Sequence, residues 1–196
     1  MPFFAKPYSD PERIFIVGDS KSSGDTWMGL LTGLLNSNSV ASYALHATPI
    51  AYAGDTVEQM KAHIDSDLGA VTGNTDIILI NLGTNDLTTL PAENDWKVNY
   101  RSIIESLHAK WADALIYLAK PVQLQANPPS SPVADTAAMH GWIDDLVGEY
   151  AYVFTGIEET DLEGGDSYAT NFVDISHYTD PAGQLSVSGL WETILA

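Results

Sequence analysis

The chain has 196 residues, of which 45% are hydrophobic and none is cysteine, and its 26 acidic and 8 basic residues give a formal charge of −18. This length and composition predict one globular domain over residues 1–196. The absence of cysteine excludes disulfides, thiolate metal sites and a cysteine nucleophile, and the negative charge disfavours binding to nucleic acid or to anionic lipid.

The sequence predicts a soluble protein without a membrane span. Its apolar runs are shorter than the roughly 18 residues that a spanning helix needs. Residues 1–10 contain Lys6, Pro7 and Asp10 where a signal peptide would have an apolar core. An extracellular location, membership of a larger surface or virion assembly, and the oligomeric state are left open.

The chain opens with a strand, a turn and a helix. Residues 12–17 form a β-branched and aromatic run, which predicts a buried strand that ends at Gly18. A helix capped by Asp25 or Thr26 is expected next. Its apolar residues recur at helical spacing on one face: Trp27, Leu30, Leu31 and Leu34.

Two further strand and helix units follow. A second strand is expected near residues 45–51, and Thr56 with Gln59 three residues later has the capping-box spacing that starts a helix. Residues 76–82 are the most strand-like run of the chain. The helix after them has a buried face over about four turns, formed by Trp96, Tyr100, Ile103, Ile104, Leu107 and Trp111.

The rest of the chain is less regular. A fourth strand is expected within residues 115–124, with Pro121 at its end or at a sheet edge, and residues 127–132 form a loop that cannot be helical. A helix, a fifth strand and a long loop are expected at residues 134–148, 150–157 and 158–179. Asp180 and Pro181 start a closing helix, whose apolar stripe is Val187, Leu190, Trp191 and Ile194.

This alternation predicts an α/β fold with a parallel five-stranded sheet covered on both faces, because crossovers between parallel strands are right-handed. In such a sheet, ligands bind beyond the carboxyl ends of the strands. Distinctive polar residues follow the strands at these ends: Gly18-Asp19-Ser20, Gly54-Asp55, Gly83-Thr84-Asn85-Asp86 and, in the last long loop, Asp174-Ile175-Ser176-His177.

Ser20 is the candidate nucleophile. At the start of a helix, free N–H groups and the positive end of the helix dipole favour a developing negative charge. Of the five histidines, only His177 lies in a Gly- and Asp-rich loop with a carboxylate, Asp174, three residues before it. His177 would act as the base and Asp174 would orient its ring, which is the division of roles in a serine triad.

Three donors are candidates for stabilising the oxyanion of a tetrahedral intermediate. They are the backbone N–H groups of Ser20 and Gly54 and the side-chain amide of Asn85. Asp19 and Asp86 are expected to hold the turns that place Ser20 and Asn85.

Each of these residues also has a purely structural interpretation. Ser20 could cap a helix, Gly54 and Asn85 could be ordinary turn residues, and Asp174 and His177 could cap a loop and lie at the surface. The four blocks in order favour catalysis. The other four histidines lack partners at metal-ligand spacing, so neither a metal nor another cofactor is expected.

The order and spacing of the four blocks resemble those of the SGNH hydrolases, also called GDSL-like esterases, from Ile14 to Leu195. The resemblance implies a flavodoxin-like, doubly wound three-layer αβα sandwich. It also implies hydrolysis of carboxylic esters, often of O-acetyl groups on carbohydrates.

Three residues depart from the usual pattern of this family. Lys21 stands where leucine or isoleucine is frequent, Tyr178 stands where proline is common, and Gly183 lies one residue later than expected. Because of these departures, the resemblance implies the fold and the ester chemistry more specifically than it implies the substrate class.

Aromatic side chains near the site could stack on a sugar ring or line an acyl pocket. Tyr52, Phe172 and Tyr178 are the candidates for substrate contact, whereas Trp27 and Trp96 belong to apolar stripes and are expected in the core.

The favoured hypothesis is a serine esterase that removes O-acetyl groups from a carbohydrate through an acyl-enzyme. A short-chain lipase, lysophospholipase or thioesterase of the same family is the alternative with the same chemistry. A non-catalytic carbohydrate-binding or structural module on the same fold is the rival from another class. Nucleotide binding is disfavoured, since the chain lacks both a P-loop ending and a G-x-G-x-x-G turn after the first strand.

Overall fold

The computed structural model describes residues 11–23, 27–38, 42–46, 49–125, 131–163, 171–172, 174, 177–180 and 182–195. The strands are β1 (Glu12–Gly18), β2 (Tyr43–Leu45), β3 (Ile50–Ala51), β4 (Ile77–Asn81), β5 (Leu115–Lys120), β6 (Leu124–Gln125), β7 (Ser131–Pro132) and β8 (Val153–Glu158). The α-helices are α1 (Ser20–Ser23), α2 (Trp27–Asn38), α3 (Val57–Asp67), α4 (Glu93–Lys110), α5 (Thr136–Glu149) and α6 (Ala182–Leu195). Short 3-10 turns cover Leu68–Ala70, Asn85–Thr88 and Glu159–Glu163.

The main sheet is parallel, with strand order β2-β1-β4-β5-β8, and β3 also pairs with β1. The predicted second strand is therefore two short pieces along the same edge of β1. Residues 12–14 of β1 pair with β2, and residues 17–18 pair with β3. With these pieces counted as one strand, the order is that of flavodoxin-like sheets, and the predicted doubly wound α/β fold is confirmed.

The two central strands are buried on both faces, as parallel strands between helical layers must be. Phe15 and Val17 of β1 face a core shared with α3, α4 and α5. Ile14 and Ile16 face a second core, in which the rings of Trp27 (α2) and Trp191 (α6) stack 6.4 Å apart. The sheet is thus the middle layer of three. The expected burial of Trp27 and Trp96 is confirmed.

The structure tests several predicted starts and ends of helices and strands. Thr56 and Gln59 form both hydrogen bonds of the capping box at the start of α3. Strand β5 ends at Lys120, directly before Pro121, and it is an inner strand of the sheet. The candidate caps Asp25 and Thr26 and the predicted first helical residue Pro181 lie outside the described residues.

The structure corrects some boundaries. The last strand starts at Val153, three residues later than predicted. The long loop begins with a 3-10 turn at Glu159–Glu163. Residues 131–132 of the predicted loop pair with β6 as a small antiparallel hairpin, and the start of that loop, residues 127–130, lies outside the described part. Among the described residues, no helix combines the length and apolar character needed to cross a bilayer.

Candidate active site

Three strands of the sheet end side by side. Gly18, at the end of β1, is paired with Ala51 of β3 on one side and with Asn81 of β4 on the other. Because the carboxyl ends are level, the turns that follow them start from one edge. These turns carry Ser20, Gly54 and Asn85.

The turn that carries Ser20 is held by Asp19. The Asp19 carboxylate accepts a hydrogen bond from the Lys21 N–H at 3.1 Å, and the Asp19 carbonyl accepts from two N–H groups of α1. Asp19 is completely buried, and this burial raises its pKa to about 6, although the Lys21 charge opposes the rise. Ser20 itself is half-buried.

Gly18 has room for no side chain. A β-carbon there would overlap the side chain of Ser22 and lie 2.7 Å from the carbonyl oxygen of Asn81. The close approach of β1, β4 and α1 therefore requires glycine immediately before the Asp19-Ser20 turn.

The turns of Gly54 and Asn85 are joined to each other. Gly54 has a φ of +86°, which favours glycine, and it lies at the surface. The Asn85 Nδ2 atom donates to the carbonyl oxygen of Asp55 at 2.9 Å. This bond ties the Asn85 amide to the residue next to Gly54.

Asp86 connects the Asn85 turn to helix α3. Its carboxylate accepts a hydrogen bond from the Val57 N–H, at the start of α3, at 3.0 Å. The side chain is buried, and burial raises the pKa of Asp86 to about 6. The Asn85 turn is therefore anchored to a helix that Thr56 caps independently.

Asp174 and His177 form a hydrogen-bonded pair. The His177 Nδ1 atom lies 2.9 Å from one Asp174 carboxylate oxygen, and the backbone N–H of His177 donates to the other at 2.8 Å. The bond to the ring orients the imidazole, and because the carboxylate is an acceptor, Nδ1 carries the proton and donates it while Nε2 is left as the acceptor. Both side chains are a little less than half exposed, so the ring is accessible.

The residue after His177 connects the stretch that precedes α6, residues 171–180, to the sheet. We call this stretch, in its described residues, the His177 loop. Tyr178 is buried, and its hydroxyl accepts a hydrogen bond from the Asn81 amide at 3.2 Å and donates one to Glu159. Asn81 is also the residue whose carbonyl accepts the Asp19 N–H. One residue at the end of β4 therefore contacts both the residue before Ser20 and the residue after His177.

The structure corrects two of the predicted substrate contacts. Phe172 and Tyr178 are only 1% and 3% exposed and pack against each other with their rings 5.4 Å apart. They form part of the core beneath α6 and have no surface to offer a substrate. These two residues pair with each other as an isolated antiparallel bridge, a contact that no local pattern in the sequence predicts.

Tyr52 remains exposed next to the Gly54 turn. Its side chain is 40% exposed, its hydroxyl donates to Asp67 at 2.6 Å, and its ring stacks on His63 at 3.8 Å. It also lines a cavity of about 680 Å³ beside β2, β3 and α3, together with His46 and Arg13.

Lys21 and Glu159 form a buried ion pair that sequence reasoning missed. Both side chains are fully buried, and the Lys21 ammonium also donates to the carbonyl oxygen of Val122 at 2.9 Å. The unusual lysine after Ser20 was a signal, but nothing local marked its partner 138 residues away. Among the described residues, no group of three or more histidine and acidic side chains is arranged to hold a metal ion.

Residues 16–184 match the sequence model of the GDSL-like lipase/acylhydrolase family. The chain belongs to this family. Its members are ester hydrolases, and the three-layer fold with polar turns at one sheet edge agrees with that membership. A search of curated proteins finds no significant match.

Solved structures of the same fold include named carbohydrate-active enzymes. The family 3 carbohydrate esterase of Clostridium thermocellum superposes with a TM-score of 0.71 at 16% identity, covering 94% of each chain. The acetylxylan esterase of Geobacillus stearothermophilus gives 0.70 at 16% identity, covering 95% of this chain and 96% of its own. A GDSL-like lipase of Bacteroides thetaiotaomicron gives 0.66 at 16% identity, covering 93% and 87%. At these identities the likeness establishes the shared fold.

Proposed function

We propose that the protein is a serine esterase that acts through an acyl-enzyme and removes O-acetyl groups from a carbohydrate. The observation that carries the proposal is the Asp174–His177 pair, whose loop is tied by Tyr178 to the same strand end as the Ser20 turn. A histidine with its Nδ1 proton held by a carboxylate and its ring accessible is the arrangement that general-base catalysis requires.

Acylation would start when Ser20 Oγ attacks the ester carbon and His177 Nε2 accepts the hydroxyl proton. Asp174 would stabilise the resulting imidazolium through the Nδ1 hydrogen bond. The negative charge on the former carbonyl oxygen would be met by the N–H groups of Ser20 and Gly54 and by the second N–H of the Asn85 amide. His177 would then protonate the leaving alcohol as the carbon–oxygen bond of the ester breaks.

Deacylation would repeat the same steps with water in place of Ser20. His177 would take a proton from the water as it attacks the acyl carbon, and would return that proton to Ser20 Oγ when the acyl–serine bond breaks. The products are a free alcohol, such as a sugar hydroxyl, and a carboxylic acid. The side chains are restored to their starting states.

The substrate proposal draws on the fold neighbours and on Tyr52. Two structures of the same fold are named as a carbohydrate esterase and an acetylxylan esterase. The exposed Tyr52 ring lies beside the Gly54 turn with its hydroxyl fixed by Asp67, and a rigid aromatic ring with a bonded hydroxyl suits a sugar face.

The test is hydrolysis of p-nitrophenyl acetate by the wild type and by Ser20→Ala between about pH 5 and pH 9. The wild type should turn over the ester, with a rate that falls in acid because a protonated imidazole cannot accept a proton. Ser20→Ala should lose at least about 10³-fold in kcat, as triad serines do. The matched control is Ser37→Ala, an exposed serine of α2 whose hydroxyl donates to the Gly33 carbonyl of its own helix, which should keep wild-type kcat.

Three further outcomes decide between the proposal and its rivals. A steep preference for long acyl chains in a p-nitrophenyl ester series would replace the deacetylase by a lipase. Equal activity of wild type and Ser20→Ala would refute the serine mechanism, and polysaccharide binding without turnover would favour a binding module.

A further inference from the structure

A buried polar chain connects the residue after Ser20 to the residue after His177. It consists of Lys21, Glu159 and Tyr178, which we call the buried bridge. The Lys21 ammonium is paired with the Glu159 carboxylate, and the Tyr178 hydroxyl donates to the other oxygen of that carboxylate. The exposed fractions of the three residues are 0%, 0% and 3%.

Each member of the buried bridge has a further fixed partner. The Lys21 ammonium donates to the Val122 carbonyl at 2.9 Å, and Glu159 accepts from the Val122 N–H at 2.8 Å. The Tyr178 hydroxyl accepts from the Asn81 amide at 3.2 Å. Val122 lies in the turn that follows β5, and Asn81 is the last residue of β4, so the bridge is bonded to the carboxyl ends of two neighbouring strands.

The aromatic rings of the loop enclose the charge. The Lys21 nitrogen lies 5.6 Å from the ring centres of both Phe172 and Tyr178. Cations over aromatic faces at this distance are attracted to them, and more strongly where water is excluded. The His177 loop is thus held to α1 by directed bonds and by this cation–π contact.

Packing alone does not explain these residue types. An isolated ion pair in the core gains little or nothing over apolar residues of similar volume, because both charges lose their hydration. Directed bonds differ from apolar packing in that they fix distance and orientation. The two ends of the buried bridge are the immediate neighbours of the proposed nucleophile and base.

We propose that Lys21, Glu159 and Tyr178 are positioning residues that set the separation of Ser20 and His177 by bonding α1, the turn after β8 and the His177 loop together. This inference rests on the proposed function for its kinetic consequence, whereas the anchoring of the His177 loop can be measured without it. A displacement of reacting groups by about 1 Å can cost about 10²-fold in rate.

Two variants cut the buried bridge without leaving Lys21 or Glu159 as a lone buried charge. Tyr178→Phe removes only the hydroxyl and keeps the packed ring. The double variant Lys21→Met/Glu159→Gln replaces both charges by neutral side chains of similar length, so the protein is spared an orphaned buried charge. Tyr178→Phe keeps the test decisive if the double variant does not fold.

The chain offers a matched control for each variant. Tyr150→Phe removes another tyrosine hydroxyl that donates to a glutamate, Glu105 at 3.0 Å, at the other end of the sheet. Lys97→Met removes another lysine with little exposure, one that pairs with Glu93 and Asp145 on α4 and α5. Neither control touches the proposed site.

The experiment combines p-nitrophenyl acetate kinetics with amide hydrogen exchange of the folded proteins. In both bridge variants kcat should fall about 10-fold to 100-fold while KM stays within about twofold. The amides of His177 and Thr179, which are bonded to Asp174 and to the Asn171 carbonyl, should exchange faster. The controls should keep wild-type kcat and wild-type exchange at these two amides.

If the wild type is active, the kinetics decide. Unchanged kcat in the folded bridge variants, or an equal loss in the controls, would overturn the inference. If the wild type hydrolyses no ester, the proposed function fails, and amide exchange decides the anchoring instead. Exchange at His177 and Thr179 that is no faster in the bridge variants than in the controls would then overturn it.

Discussion

At the scale of single residues, buried carboxylates hold the turns around the proposed site. Asp19, Asp86 and Glu159 each accept a backbone N–H, from Lys21, Val57 and Val122. A buried carboxylate is costly unless such donors face it. These three acids therefore act as bonded turn anchors, unlike the many exposed acids that give the chain its charge.

Asp86→Asn should change stability in a pH-dependent way. Burial raises the Asp86 pKa from 3.8 to about 6. The carboxyl proton of Asp86 is therefore held more tightly in the folded state than in the unfolded state. The stability that Asp86 contributes is therefore full below about pH 4 and is lost as the pH rises to about 6. Asparagine has no such loss, and its side-chain oxygen can still accept the Val57 N–H.

The difference in free energy of unfolding, variant minus wild type, should thus rise between about pH 4 and pH 6 by up to about 3 kcal/mol, and stay level above. Urea unfolding at several pH values measures it. Asp113→Asn, at an exposed acid between α4 and β5, should differ from wild type by less than about 0.5 kcal/mol throughout. A pH-independent difference for Asp86→Asn would contradict the prediction.

At the scale of elements, helix α6 and the His177 loop are built as one unit. The Gly183 N–H donates to the Thr179 hydroxyl at 2.9 Å, and the Thr179 N–H donates to the Asn171 carbonyl at 2.8 Å. A β-carbon at Gly183 would overlap that same carbonyl oxygen. The displaced glycine noted in the sequence is thus the point where α6 touches the loop backbone.

Gly183→Ala should therefore destabilise the protein and lower esterase activity together, because the added methyl pushes the Asn171 backbone and the loop behind it. We expect a loss of about 1–3 kcal/mol in urea unfolding, which is typical of overpacking. Gly189→Ala, in the same helix with open space around its β-carbon, should be neutral or gain about 0.5–1 kcal/mol. Similar effects of the two substitutions would show that the close contact between Gly183 and the Asn171 carbonyl is not the cause.

At the scale of the whole molecule, negative charge is in large excess. The formal charge is −18, and basic residues such as Lys97, Arg101 and Lys120 connect α4 and β5 to acids of α5 and β8. In most of these pairs the acidic side chain is exposed to solvent, so each pair contributes little to the stability of the fold. The self-repulsion of the remaining acids works against the compact state.

The melting temperature should therefore rise with salt. The screening length falls from about 30 Å at 0.01 M to about 3 Å at 1 M, which weakens repulsion across the molecule more than contacts between neighbouring atoms. Thermal unfolding in sodium chloride measures the effect. Tetramethylammonium chloride should raise the Tm as sodium chloride does, because screening depends on ionic strength and not on the cation. A Tm that falls with either salt would refute the prediction.

Much of the fold and site could be predicted because their signals are local. Strand and helix periods, the Thr56–Gln59 box and the breaking effect of Pro121 act within a few residues. Because parallel strands present their carboxyl ends at one edge, this local information also indicated which turns would meet. Asp174 and His177, three residues apart, needed no distant information to form their hydrogen bond.

By itself, the sequence determined the α/β alternation, the family and the polar turns at the strand ends, since each depends on spacing along the chain. The tertiary structure alone decided that Lys21 and Glu159 pair, that Phe172 and Tyr178 turn into the core, and that the second strand divides into two. These features depend on which distant backbone segments enclose a side chain and supply its hydrogen-bond partners. Burial and bonding of that kind arise only when the layers come together.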